Sequence, residues 1–470
     1  MNNLNEILRQ IPRVDDLAAL AAVEPEAAKI PQSLLLAAVR SVLNKLRADV
    51  MNGLATEIPP AARLAAKAAL AAQSMVSAGL RPLINATGIV VHTNLGRSIL
   101  PIDAAERITA LATDYSTLEY DLTSGERGSR LTYLENLLTH LTGGEAALAV
   151  NNNAAAVLLI LTAICRDKEV IVSRGELVEI GGSFRIPEIM ACGGAVLKEV
   201  GTTNKTRLSD YAKAIEPEKT GCLLKVHPSN FKIMGYTESV TVAELASLAR
   251  EKNLPLVCDL GSGSLVDLRP FGLTDEPTAG DWLASGADIV CFSGDKLLGG
   301  VQAGIIIGKQ SYIKKLKDHP LARAMRLGKL TIVALEAILE LYLDPADFKK
   351  IPTLAMLSAQ PEELYHKAQA LMAGLQDIQG FCFTVEQTES ETGGGAAPAV
   401  RLPSWGIYAE PLNMKINHLE KALRSHKIPI ISRIWKDRLV LDVRTIRPDQ
   451  FSEIAEAFKE AAANQPAIIS

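Results

Sequence analysis

The sequence predicts an α/β protein in which a mainly parallel central sheet is flanked by helices, with a helical N-terminal domain before it and a smaller C-terminal α+β domain after it. Between about residues 140 and 310, short apolar runs of strand length alternate with helical stretches, the spacing of strands joined by crossover helices. The first 75 residues are rich in Ala and Leu and repeat with a helical period. Beyond Pro345 the chain is less apolar.

The expected domains are therefore 1–75, 76–345 and 346–470. In the first, Pro31 precedes a helical run through Gln32–Leu43 and Gly53 stands near its stop. Eight Lys/Arg against seven Asp/Glu leave this domain close to neutral. Arg40, Asn44 and Arg47 share one helical face, as do Arg63 and Lys67; a solvated polar face accounts for both groups. The second domain holds seven strand-like runs: Ala146–Val150, Glu169–Ser173, Ala195–Val200, Cys222–Val226, Leu256–Asp259, Asp288–Phe292 and Ala303–Ile307. Ligands of such sheets bind where strands end and loops begin. In the third domain, the Gly/Thr/Glu-rich stretch Thr388–Gly395 is expected to separate two strands, and Arg438–Val443 reads as a further strand.

Of the 470 residues, 48% are hydrophobic and 22% charged, a globular balance rather than a disordered one. A formal net charge of −4 gives no general attraction for polyanions, so any nucleic acid must meet a local patch. No apolar run approaches the roughly 20 residues that cross a bilayer, and Met1–Arg13 lacks the order of a signal peptide. A cytoplasmic location is expected. The six cysteines are scattered, with no C-x-x-C pair, and read as buried reduced thiols.

Several common sites are excluded by spacing. Gly308-Lys309 lacks a P-loop, because Ala303 stands five positions before Gly308 and Gln310 replaces the Ser or Thr that holds magnesium. Gly261-Ser-Gly263 lacks the third glycine of a dinucleotide fingerprint. Neither G-x-S-x-G nor H-E-x-x-H occurs.

What remains is a pair of strand ends: Leu256-Val-Cys-Asp259, then, after one crossover, Asp288-Ile-Val-Cys-Phe-Ser293-Gly-Asp-Lys296. A carboxylate at one strand end and a lysine past the next suit pyridoxal phosphate. The acid keeps the pyridine nitrogen protonated, and the lysine holds the aldehyde as an imine and later moves the proton. Charged residues also stand at strand ends merely to meet solvent. The run Ala147–Val150 followed by Asn151-Asn152-Asn153 reads as a strand entering a helix whose free N–H groups would face a phosphate; ordinary N-capping explains the same residues.

The chain resembles the bacterial selenocysteine synthases, fold-type I pyridoxal-phosphate enzymes that act as L-seryl-tRNA(Sec) selenium transferases. The likeness rests on Ile84-Asn-Ala-Thr-Gly-Ile-Val-Val-His-Thr-Asn-Leu-Gly-Arg97, Tyr120-Asp-Leu-Thr-Ser-Gly-Glu-Arg-Gly-Ser-Arg130, Glu199-Val-Gly-Thr-Thr-Asn-Lys-Thr-Arg207, His227-Pro-Ser-Asn230 and Ser293-Gly-Asp-Lys296. It implies conversion of seryl-tRNA(Sec) to selenocysteinyl-tRNA(Sec) with selenophosphate, through loss of water to an aminoacrylyl-tRNA and addition of selenium. Lys296 would be catalytic, with Asp259, Asn152, Asn153 and Ser293 around the cofactor. Arg97, Arg323 and Arg326, with Arg130 nearby, would grip the selenium donor's phosphate, for which the guanidinium fork is suited. As a bland alternative, Arg323 and Arg326 lie one helical turn apart and would form a solvated edge. Thr202 and Thr203 match polar pocket positions, or serve a turn. The resemblance also implies that the N-terminal domain touches the tRNA and that subunits assemble as a ring of dimers.

An aromatic ring often stacks on the pyridine in fold-type I enzymes, but Ile180-Gly181-Gly182-Ser183 offers only Ile180. His227 is a candidate neighbour of the cofactor, or a loop histidine with a structural bond. Two rival readings stay open: a lyase for a phosphorylated amino sugar acid, and a non-catalytic RNA-binding protein on an old enzyme scaffold.

Overall fold

The computed structural model describes residues 2–76, 79–180 and 184–463. It divides into two compact units, Met1–Pro82 and Leu83–Ser470. In the first, helices Val14–Ala22, Gln32–Met51 and Ala61–Val76 enclose a small core of Leu17, Leu35, Val39, Leu43, Leu46 and Leu64. The Ala-rich helix buries Ala65, Ala68, Ala69 and Ala72 on one side. These small side chains fill the 3.6-period face turned to the neighbouring helices.

The second unit is built on a seven-stranded sheet. Its strands are β1 (Ala146–Val150), β2 (Glu169–Ser173), β3 (Val196–Val200), β4 (Thr220–Val226), β5 (Leu256–Gly261), β6 (Ile289–Ser293) and β7 (Gly304–Gly308). They lie in the order β1-β7-β6-β5-β4-β2-β3. Neighbours run parallel except at β7, which is antiparallel to both β1 and β6. The sequence runs thus mark all seven strands to within a few residues, and the sheet is mainly parallel as expected. Apolar side chains cover both faces, forming one core with Leu223, Cys258, Val290 and Ile305 and another with Leu224, Val257, Cys291 and Ile306. Buried on both sides, such strands read as continuous apolar runs rather than alternating ones.

The ends of β1, β4, β5 and β6 and the start of β7 meet at one edge of this sheet. Gly304 opens β7 there because a Cβ would stand 2.1 Å from the carbonyl oxygen of Asn152.

A four-stranded antiparallel sheet follows, with β8 (Phe381–Glu391), β9 (Arg401–Pro411), β10 (Arg433–Trp435) and β11 (Arg438–Asp442) in the order β8-β9-β11-β10. The stretch Thr388–Gly395 does not simply separate two strands. Its first four residues continue β8, paired with β9 through Glu391↔Arg401, and the turn proper begins at Thr392. All six cysteines are free, but only Cys165, Cys222, Cys258 and Cys291 are buried; Cys192 and Cys382 are exposed, the latter because alternate residues of β8 face outward.

Candidate active site

Asp259 and Lys296 meet at the carboxyl edge of the parallel strands. Both are buried, with 1% and 3% of their surface exposed. Asp259 lies in β5 opposite Cys291 of β6, next to an irregularity that ends the regular pairing. Its Oδ1 accepts from Asn153 Nδ2 at 2.8 Å and from the Gly261 N–H at 3.0 Å. Burial raises the carboxyl group above its usual range, opposed by Asn153, Lys296, the Gly261 N–H and Cys291. Burial first, and then the nearby Arg97 cation, holds the Lys296 amine below its ordinary value of 10.5, while Asp259, Asp295 and Glu276 pull the other way. A buried lysine of this kind yields its proton readily and becomes a nucleophile or base.

Asn152 and Asn153 divide the work at the start of helix Asn153–Cys165. Asn152 is the N-cap, its side chain accepting from Ala155 N at 2.9 Å, so the capping role is realised and its side-chain oxygen is engaged. Asn153 reaches Asp259 instead. Ser293 ends β6, opposite Gly304 and nearly buried.

Arg97 and the pair Arg130 and Arg326 stand against different carboxylates. Arg97, in a left-handed conformation with φ 62°, pairs through Nη1 with Asp295 at 2.5 Å, beside Lys296 in sequence. It lines a cavity of about 390 Å3 with Ser98, Asp295, Gly300 and Gln302. Arg130 is held by Glu119, through Nε at 2.9 Å, and by the Leu327 carbonyl at 2.9 Å. Arg326 Nη1 lies 3.9 Å from the same Glu119. Arg323 is exposed on the short helix Pro320–Ala324, and Arg326 lies beyond that helix, bridged to Val150. The expected single helical edge is therefore absent. The bridge instead sets Arg326 beside β1, where the chain enters the asparagines. Thr202 is exposed, and its hydroxyl accepts from Lys205 N at 3.2 Å and donates to Lys205 O at 3.1 Å; the turn reading describes its contacts.

The family profile described as L-seryl-tRNA selenium transferase matches residues 83–447, and that for the selenocysteine synthase N terminus matches residues 8–47. The chain belongs to the L-seryl-tRNA selenium transferase family. Relatives named L-seryl-tRNA(Sec) selenium transferase include those of Moorella thermoacetica, 47% identical over 97% of both chains, and Geobacter sulfurreducens, 46% identical over 97% of this chain and 99% of the relative. That of Clostridium perfringens is 45% identical over 97% and 98%. Among solved structures, D-glucosaminate-6-phosphate ammonia-lyase shares the fold, with a TM-score of 0.56 and 23% identity over 82% of this chain and 97% of that one. The architecture is that of fold-type I pyridoxal-phosphate enzymes.

Among the described residues, the buried Asn153 Oδ1, on the side chain that reaches Asp259, and His227 Nε2, 3.6 Å from Glu276 Oε1, lack a hydrogen-bond partner. Buried polar groups are normally satisfied, and a polar cofactor seated against Asp259 suits both. His227 is fixed through its backbone, whose N–H donates to the Asp259 carbonyl at 2.9 Å. The stacking position sought at Ile180–Ser183 falls outside the described side chains.

Sequence reasoning missed two features beside Lys296. Gly395, in the turn after β8, is so close that a Cβ there would stand 3.6 Å from Lys296 Nζ. Glu276 is buried and accepts the Ala397 N–H of the same turn at 2.5 Å. Three consecutive glycines were the only local signal; the contact joins residues about 100 positions apart in the chain.

Proposed function

We propose that this chain converts seryl-tRNA(Sec) to selenocysteinyl-tRNA(Sec), using pyridoxal 5'-phosphate carried on Lys296 and selenophosphate as selenium donor. The observation that carries this is the burial of Lys296 near Asp259, itself oriented by Asn153, in a chain that matches its family's members over nearly its whole length.

Asp259 would hold the ring nitrogen, Lys296 the aldehyde, and the helix start at Asn152–Asn153 the phosphate, with Ser293 at the strand end beside them. When bound, the cofactor supplies an electron sink for charge developing at the seryl α-carbon. Lys296, once freed by the seryl amine, would take the α-proton, a role that its burial favours by holding the amine below its ordinary value. The β-hydroxyl would leave with a proton as water; the donor's selenium would then bond to the β-carbon as a proton returns to the α-carbon, and water would cleave the P–Se bond and release phosphate. Arg97 would receive the phosphate of the donor, exchanging its ion pair with Asp295 for charge-assisted bonds to phosphate oxygens. Arg130 and Arg326 would be released from Glu119 to join it, with Arg323 at the rim and Thr202 as a further substrate contact.

The working division is an N-terminal tRNA-binding domain (1–75), a cofactor-binding core (76–345) and a C-terminal α+β domain (346–470), in a homo-oligomeric ring of dimers in the cytoplasm. Among the described residues no helix is long and apolar enough to cross a membrane.

Purified protein given seryl-tRNA(Sec) and selenophosphate should form selenocysteinyl-tRNA, and Lys296→Ala should form none. Free serine and a phosphorylated amino sugar acid serve as competitors. Deamination of the sugar acid with an inert tRNA would keep the cofactor site and remove the translation role.

A further inference from the structure

The turn between β8 and β9 belongs to the C-terminal sheet yet reaches the catalytic lysine. Gly393, Gly394 and Gly395 all have positive φ, at 75°, 62° and 75°. The first two are required by packing: a Cβ at Gly393 would lie 2.2 Å from Ile89 Cγ2, and one at Gly394 2.5 Å from the Val91 carbonyl oxygen. Gly395 is different. Around a Cβ there the nearest atoms are Asn230 Cβ at 3.4 Å and Lys296 Nζ at 3.6 Å, ordinary contact distances. A methyl group would clash with no protein atom, although at φ 75° any L residue strains the backbone; it would occupy space beside the amine. The turn also borders a cavity of about 250 Å3 shared with Ser229, Asn230 and Arg401.

Glu276 holds this turn. Its carboxylate is 1% exposed, and burying a charge is costly unless hydrogen bonds satisfy it. Oε1 takes the Ala397 N–H at 2.5 Å and Oε2 takes the Ser262 hydroxyl at 2.7 Å. His227 Nε2 stands 3.6 Å from Oε1. One side chain thus ties the turn to Ser262, just beyond the β5 end that carries Asp259, although Glu276 itself has no part in the proton transfers above.

We propose that the Gly393–Gly395 turn is a specificity-determining wall of the catalytic pocket: Gly395 leaves beside Lys296 the room that the seryl side chain occupies, and Glu276 is the positioning residue that holds the wall. This rests on the assignment of Lys296 as the cofactor lysine.

The test uses the full-length cofactor-loaded protein. Gly395→Ala should keep the unmutated cofactor content per chain and unmutated affinity for uncharged tRNA(Sec). Its kcat/KM on seryl-tRNA(Sec) should fall on the order of 10- to 100-fold, as expected when a reacting group is displaced by about an ångström. Glu276→Ala should speed tryptic cleavage after Arg401, and Glu276→Gln, which keeps an acceptor for the Ala397 N–H, should restore protection. Full kcat/KM in Gly395→Ala, or loss of its cofactor, overturns the wall. Cleavage of Glu276→Ala at the unmutated rate, or equal cleavage of the Ala and Gln variants, overturns the strut. Absence of cofactor from Lys296 in the unmutated protein instead removes the underlying assignment, and is seen before any variant is compared.

Discussion

Lys296 and Asp259 are opposite charges placed in an environment that penalises both, and their chemistry follows from that placement. Because burial lowers the Lys296 pKa, the neutral amine that condenses with an aldehyde forms at lower pH than for a free lysine. The rate at which cofactor-free protein takes up pyridoxal phosphate should therefore rise with pH through a midpoint below 10.5, measured by stopped-flow absorbance; a midpoint at or above that value would contradict the burial argument. Asn153 donates to the Asp259 carboxylate, proposed as the partner of the ring nitrogen, and hydrogen bonds to charged groups contribute about 1.5–3 kcal/mol. Asn153→Ala should cut turnover on the order of tenfold or more, with cofactor still bound; unchanged kcat would make Asn153 a packing residue only. For Arg97, replacement by Lys keeps the charge but loses the fork, so KM for selenophosphate should rise while KM for seryl-tRNA stays.

At the scale of elements, most strands were legible because a strand buried on both faces must be apolar throughout, as Ala146–Val150 and Ile289–Ser293 are; Val196–Val200 at the sheet's edge is the exception, with Lys198 and Glu199 and little burial. Their order was not legible, nor was the antiparallel direction of β7, since pairing is decided between residues far apart in the chain. Asp259 and Lys296 were singled out because the first stands near the end of an apolar strand and the second just past one, at the sheet's carboxyl edge. Glu276 and Gly395 were not, because their roles arise only where the C-terminal turn meets the core. Asn152 carried both a capping and a pocket reading, and its bond to Ala155 N realises the capping one. The contact of β7 with the asparagine loop gives a direct test. Gly304→Ala would press a Cβ to 2.1 Å from Asn152 O, and such overpacking costs about 1–3 kcal/mol. Urea unfolding should show that loss, with cofactor affinity falling alongside; equal stability would mean the helix start shifts freely.

For the whole molecule, chemistry and tRNA recognition are assigned to different units. Arg47 in the N-terminal unit donates to Asn44 at 2.9 Å, one turn apart on the face it shares with exposed Arg40. The unit is close to neutral, so tRNA affinity must come from such local faces and from shape. Reversing Arg40 and Arg47 to Glu should weaken tRNA binding and flatten its salt dependence, while cofactor absorbance is retained; unchanged affinity would place the contact elsewhere. Both the cofactor and the proton transfer are assigned to a single lysine, Lys296. Hydride reduction of the native, cofactor-loaded protein followed by peptide mass mapping should place the pyridoxyl group on Lys296 alone, and a label on another lysine, or none, would contradict it.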